Sequence, residues 1–262
     1  MSFSKIINHS ELDISRVSVS GKPRDVCSRD GTLYGRRIYL QYNHPKHGLI
    51  PLLIRTPKQK YTFGIGIYQD KPTDPKKYSA SAGFDENSQN MLKFFQELQV
   101  KIVELLEENY SKWVPMKKNG KVPIRAILEN DTYKIIKVNN VKGSDEEYPP
   151  QIKYNFPVYN SKSTNEPECT TQLFLSKTEQ LTLNLEDPQS SVPSGSYAES
   201  VILCSLYCSS LGRLSATIEA KMVKVYPKKV QAIGYSDAFA EDPDEEAERP
   251  TTFPDEEAEF SD

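Results

Sequence analysis

The sequence predicts a mainly β protein with one long helix: a small barrel carrying an inserted amphipathic helix, followed by a disordered acidic C-terminal tail. Three observations point there. Short runs of alternating apolar and polar residues, separated by Pro, Gly and Asn, recur between residues 32 and 227. Only one segment, from about 88 to 114, repeats its apolar residues at helical spacing. Past Gly234 the chain turns acidic, proline-broken and poor in aliphatic residues. Such a composition buries too little surface to offset its ordering entropy.

Residues 1–30 are polar with brief alternation at Leu12, Ile14, Val17 and Val19, and read as an extended arm or edge strand. "TLYGRRIYLQY" (Thr32–Tyr42) is the first clear strand; Pro45 and Gly48 mark a turn, and Leu49–Arg55 returns. Tyr61, Phe63, Ile65 and Ile67 alternate as a third strand, with Tyr78–Phe84 as a fourth. The helix opens at Asn87 or Ser88 and is stopped by Pro115. Its stripe of Met91, Phe95, Leu98, Ile102, Leu105, Leu106 and Trp113 faces a sheet, leaving Glu104, Glu107 and Glu108 to solvent. A basic loop follows (Lys117, Lys118, Lys121), then short strands at Ile124–Leu128 and Tyr133–Val138. "YPPQIKYNFPVYN" (Tyr148–Asn160) is extended, because proline biases the residue before it that way. Leu173–Phe174 and Leu181–Leu185 add short runs, and a hairpin closes the body: Tyr197–Tyr207 returns through Ser209–Gly212 as Leu214–Tyr226. The expected organisation is an arm (1–30), one domain (31–234) and a tail (235–262).

The 18 prolines and 15 tyrosines argue against a helical bundle. No run approaches the ~18 apolar residues that span a bilayer, and Met1–Ser10 lack the pattern of a signal peptide. A soluble, intracellular chain is expected. Cys27, Cys169, Cys204 and Cys208 form no CxxC pair, and His9, His44 and His47 lie far from them. No metal or other cofactor is expected. Cys204 and Cys208, with Ile202 and Leu206, share one strand face and read as core. The net charge of −3 conceals an asymmetry. Residues 235–262 set twelve carboxylates against Arg249 alone, a net −11, while residues 1–234 hold 32 basic and 24 acidic side chains, a net +8. A basic body joined to an acidic tail points to a nucleic-acid partner.

Enzymatic signatures are missing. Walker and dinucleotide patterns do not occur, nor do GxSxG or HExxH; Gly64 and Gly66 form a bare GxG of the kind that marks a kinked or closely approached strand. A binding module for single strands instead needs cations for phosphates and flat rings for bases. Alternation on the first strand places Arg37, Tyr39 and Gln41 on one face and Arg36, Ile38, Leu40 and Tyr42 on the other. The second set looks buried, so Arg37 and Tyr39 form the exposed pair. Arg55, Lys58, Lys60 and Tyr61 follow, and Lys117, Lys118, Lys121, Arg213, Lys228 and Lys229 are further candidates. The tethered polyanion mimics a phosphate backbone and competes for the groove, with Phe253 and Phe260 as partner-docking residues.

Four stretches in order carry a family resemblance: "PLLIRTPKQKYTFGI" (Pro51–Ile65), "FFQELQVKIVELLEENYSKW" (Phe94–Trp113), "YPPQIKYNFPV" (Tyr148–Val158) and "MVKVYP" (Met222–Pro227). The chain resembles the single-stranded-DNA-binding proteins of nucleocytoplasmic large DNA viruses. These are similar in turn to the OB-fold replication proteins of short-tailed phages, whose C-termini are acidic and bear phenylalanine. The resemblance implies an OB-fold, single-strand binding in viral DNA replication or recombination inside the host cell (cytoplasm or nucleus), replication proteins as partners of the tail, and no cofactor. "GRLSATIEAKM" departs from it, with small residues where an aromatic is expected. The alternative reading is a protein-interaction or virion structural protein that binds no nucleic acid. Oligomeric state is left open, a homodimer being one option.

Overall fold

The computed structural model describes residues 5–28, 30–114, 123–129, 131–138, 147–161 and 163–226. The architecture is mainly β with one long helix. Its labelled elements are β1 (Leu33–His44), β2 (Leu53–Arg55), β3 (Lys77–Gly83), α1 (Gln89–Trp113), α2 (Ile124–Leu128), β4 (Gln151–Phe156), β5 (Gln172–Phe174), β6 (Tyr197–Ser209) and β7 (Leu214–Tyr226).

The β6–β7 hairpin is the spine, paired from Tyr197↔Tyr226 to Cys208↔Leu214. Its turn is tied by Gly212 N donating to Ser209 O at 2.9 Å, and Gly212 takes a φ of 77° that favours glycine. Between Val201 and Ile202 the register slips, since Val201 faces Met222 while Ile202 faces Ala220. Lys221 is the extra residue of that bulge, which re-aims the side chains around it. Along its other edge β6 accepts three segments in succession: β1 (Ser209↔Gly35 to Ser205↔Tyr39), β2 (Leu203↔Leu53 to Val201↔Arg55) and Gln59–Lys60 (Ala198↔Gln59, Tyr197↔Lys60). The far edge of β7 carries β5 in parallel and meets β4 at Asn155↔Glu219; β4 runs antiparallel to β3, and β3 to Gly66–Tyr68.

Alternation decides which faces pack. Ile38, Leu40 and Tyr42 are buried, as are Ile202, Cys204, Leu206 and Cys208 on β6. The helix covers this core with Met91, Phe94, Phe95, Leu98, Ile102, Leu105, Leu106 and Trp113, while Glu104, Glu107 and Glu108 are exposed. Ser88 is its N-cap, one of the two positions the sequence indicates, and the 3-10 turn before it, Glu86–Ser88, is closed by a reciprocal cap: Ser88 Oγ donates to Asp85 Oδ1 at 2.7 Å and accepts from Asp85 N at 2.7 Å. At the other end Arg36 Nη1 donates to Lys112 O at 2.7 Å, satisfying a terminal carbonyl, while its Nε holds Asp25.

Several expectations change. Ile124–Leu128 is helix α2, not a strand: Pro123 suits a helix start, and Ile127 N donates back to Pro123 O. The strand expected over Tyr61–Ile67 breaks, because Gly64 adopts a φ of 64° with its backbone against the Val192 carbonyl, leaving no room for a Cβ. Phe63 is thereby turned out to solvent and Ile65 in. Only Ile136–Lys137 of Tyr133–Val138 pairs, and Leu181–Leu185 contributes only the Gln180–Leu181 pairing. The N-terminal segment, by contrast, takes the expected edge-strand form: Ile7–Asn8 pairs with β2, Val17–Val19 and Arg24–Cys27 pair with β1, and Ile7 and Val17 are buried.

Candidate nucleic-acid interface

The alternation that buries Cys204 and Cys208 puts the odd residues of β6 on the opposite face of the sheet, and antiparallel register brings their partners to the same side; Ser205 and Glu219, at the middle of that face, are themselves buried. From the turn end toward the open end, Tyr207 lies opposite Arg37, Ser205 opposite Tyr39 and Thr217, and Leu203 opposite Glu219. Next come Val201 opposite Arg55 and Met222, Glu199 opposite Lys224, and Tyr197 opposite Tyr226 and Lys60. Tyr207 lies ten residue steps along the strand from Tyr197, so this face runs about 33 Å.

Cations and rings gather at both ends. Near the turn, Arg37 Nη1 donates to Glu219 Oε1 at 3.3 Å, and Lys221 Nζ, on the bulge, to Glu219 Oε2 at 2.7 Å. Burial works against the charge of Arg37, but Glu219, then Tyr39 and Tyr159, more than offset it, so the guanidinium is held above its ordinary pKa. Near the open end, Arg55 Nη2 donates to Glu199 Oε2 at 2.7 Å and the Tyr226 hydroxyl to Oε1 at 2.8 Å. Desolvation would raise the Glu199 pKa; these two donors, with the charges of Arg55 and Lys224, overcome it and keep the carboxyl below its ordinary value. Lys58 Nζ lies 4.4 Å from the Tyr226 ring centre and 5.2 Å from that of Tyr197, and Lys224 Nζ lies 4.7 Å from Tyr226. Ammonium groups over exposed rings are the pairing that single-strand binding uses, phosphate beside cation and base on ring.

The structure brings Arg37, Tyr39, Arg55, Lys58 and Lys60 to this one face, and Arg213 stands exposed just past the turn. Tyr61 is a correction. It is fully buried, its hydroxyl 2.7 Å from Ser200 Oγ and its ring packed at 5.9 Å against Tyr154, so no base can stack on it. Burial pushes its phenol pKa well up. Lys117, Lys118, Lys121, Lys228, Lys229, Phe253 and Phe260 lie outside the described residues.

Sequence reasoning missed Tyr159, Tyr197, Tyr207, Lys224, Tyr226 and the carboxylates Glu199 and Glu219. Alternation along β6 would have found Tyr197, Glu199 and Tyr207; Glu219 shares a face with Lys224 and Tyr226 only because of the bulge at Lys221, and Tyr159 stands 55% exposed on a separate two-stranded ribbon. A further cationic aromatic lies beyond β4. Tyr68, 52% exposed, has Lys153 Nζ at 5.4 Å and Lys77 Nζ at 5.9 Å from its ring centre. Nearby Lys137 has its pKa lowered, chiefly by burial and further by Lys134 and Lys153. Among the described residues no three His, Cys, Asp or Glu side chains converge as a metal site. His44 and His47 stack on each other at 4.7 Å, with His44 Nδ1 accepting from Lys46 N.

No protein-family model matches the sequence, and no curated protein matches it. Among solved structures the chain is similar to the crystal structure of gp2.5, a single-stranded DNA binding protein encoded by bacteriophage T7. Identity is 13%, 78% of this chain and 98% of that chain are covered, and the TM-score is 0.40, a likeness too loose to transfer a residue or a role.

Proposed function

We propose that this chain binds single-stranded DNA without catalysis, as an OB-fold-like module acting in viral DNA replication or recombination. One observation carries the reading: the outward face of β1, β2, β6 and β7 collects Arg37, Tyr39, Arg55, Lys58, Tyr197, Lys224 and Tyr226 from distant parts of the chain. A strand laid along it meets cations for its phosphates and rings for its bases at each end. The acidic segment 235–262 competes for the same cations and recruits replication proteins through Phe253 and Phe260.

The test is fluorescence anisotropy with single- and double-stranded oligonucleotides across a salt series, using the full chain and a chain lacking Tyr235–Asp262. Single strands bind in preference, affinity falls steeply with salt, and tail removal tightens binding. Arg37→Ala and Tyr39→Ala weaken it more than Lys101→Ala on the helix. No preference for single strands would favour the interaction-protein reading; no tightening on truncation would remove the competing tail.

A further inference from the structure

Two clefts meet on the candidate face, and the same ion pair stands in the wall of both. The smaller, about 280 Å³, is lined by Phe174, Val201 and Met222, with Lys177 and Lys224 alongside; the larger, about 390 Å³, is lined by Asn8, His9, Thr56, Lys58 and Asn87. Arg55 and Glu199 belong to both. The two differ in their linings. The larger draws more of its lining from polar side chains, Asn8, His9, Thr56 and Asn87 among them, and His9 Nδ1 is buried without a hydrogen-bond partner, an atom left for a ligand or water to satisfy. The smaller is mostly apolar and sits at the low end of ligand-pocket size, roughly 300 Å³, with a carboxylate in its wall.

We propose that the smaller cleft receives one unstacked nucleobase bearing an exocyclic amine, Glu199 accepting its N–H, while the adjoining cleft carries the flanking phosphates on Arg55 and Lys58. The proposal rests on the single-strand reading above and adds base preference to it. Phe174, Val201 and Met222 supply the apolar surface a base needs once it leaves the stack, and Lys177 and Lys224 in the same lining stand ready for the phosphate joined to it. Glu199 already takes Arg55 on one oxygen and Tyr226 on the other, which fixes its orientation, and each oxygen keeps a lone pair. Cytosine offers an amine donor to such a carboxylate. Thymine offers one N–H flanked by two carbonyls, whose lone pairs face those of the carboxylate. The charged hydrogen bond therefore favours cytosine, and it outweighs the roughly fourfold gain that burying the thymine C5-methyl would contribute.

The experiment is competition anisotropy on the full chain with oligo-dC and oligo-dT of equal length. Oligo-dC binds about fivefold tighter, the size expected of one net hydrogen bond. In Glu199→Gln, whose amide both donates and accepts, the ratio falls to about one, chiefly through tighter oligo-dT. Equal binding by the native chain, or a ratio that survives Glu199→Gln, overturns the base site and leaves single-strand binding intact. Failure to bind either oligonucleotide overturns both. Should Glu199→Gln not fold, Phe174→Ala at the edge of the cleft serves instead: it lowers oligo-dC affinity and narrows the ratio, and an unchanged ratio refutes the proposal.

Discussion

Replacing Glu219 with Gln should tighten single-strand binding, and the geometry sets how far. The Glu219 side chain is 8% exposed and accepts from both Arg37 and Lys221, so it occupies two cations of the face as a built-in stand-in for a phosphate. A phosphate contacting Arg37 would lie roughly 6 Å from that carboxylate. At an effective dielectric of about 40 to 80, the repulsion is about 0.7 to 1.4 kcal/mol, a three- to tenfold loss of affinity that Gln removes. Freed cations also mean more counterions released, so the slope of log K against log salt should steepen by about 0.7 for each new phosphate contact on a single strand. The cost to the fold is small. The Arg37 side chain is 34% exposed, so it is not left as an unpaired buried charge, and solvent screening holds the loss to about 1 kcal/mol. The assay is anisotropy against salt beside a thermal melt. Unchanged or weaker binding by a variant that melts with the native chain would refute the claim that Glu219 guards these cations.

Two further outcomes test the placement of residues that looked functional in the sequence. Tyr61→Phe leaves Ser200 Oγ without its buried partner and should cost about 1–2 kcal/mol of stability with unchanged DNA affinity; weaker binding at an unchanged melting temperature would return Tyr61 to the groove. Thiol labelling at pH 8 should modify exposed Cys27 quickly and half-buried Cys169 slowly, and Cys204 and Cys208 only on unfolding, since burial raises both thiols, that of Cys208 to about 11. Rapid reaction at more than one site in the native chain would contradict the packing.

Where a face repeats with a fixed period, the sequence was readable. Alternation over Arg36–Tyr42 separated Arg37 and Tyr39 from Ile38, Leu40 and Tyr42, and the same rule put Cys204 and Cys208 in the core. The amphipathic stripe placed α1 to within a few residues. Tyr61 misled for a physical reason: a tyrosine between lysines reads alike whether its ring faces water or core. Its burial follows from the hydroxyl finding Ser200 on β6, 139 residues away. Ile124–Leu128 misled because five apolar-rich residues suit either helix or strand, and the structure closes a helical turn on Pro123.

By itself, then, the sequence determined the class, the long helix, the closing hairpin and the split between a basic body and an acidic end, because each depends on composition or on spacing along the chain. Only the tertiary structure decided that Arg55 would meet Glu199 and Arg37 would meet Glu219. Those pairs join residues 144 and 182 positions apart, and they depend on the register β6 and β7 adopt around one bulged residue, Lys221. The bulge shifts the alternation of β7 by one residue, and no local pattern marks where it falls.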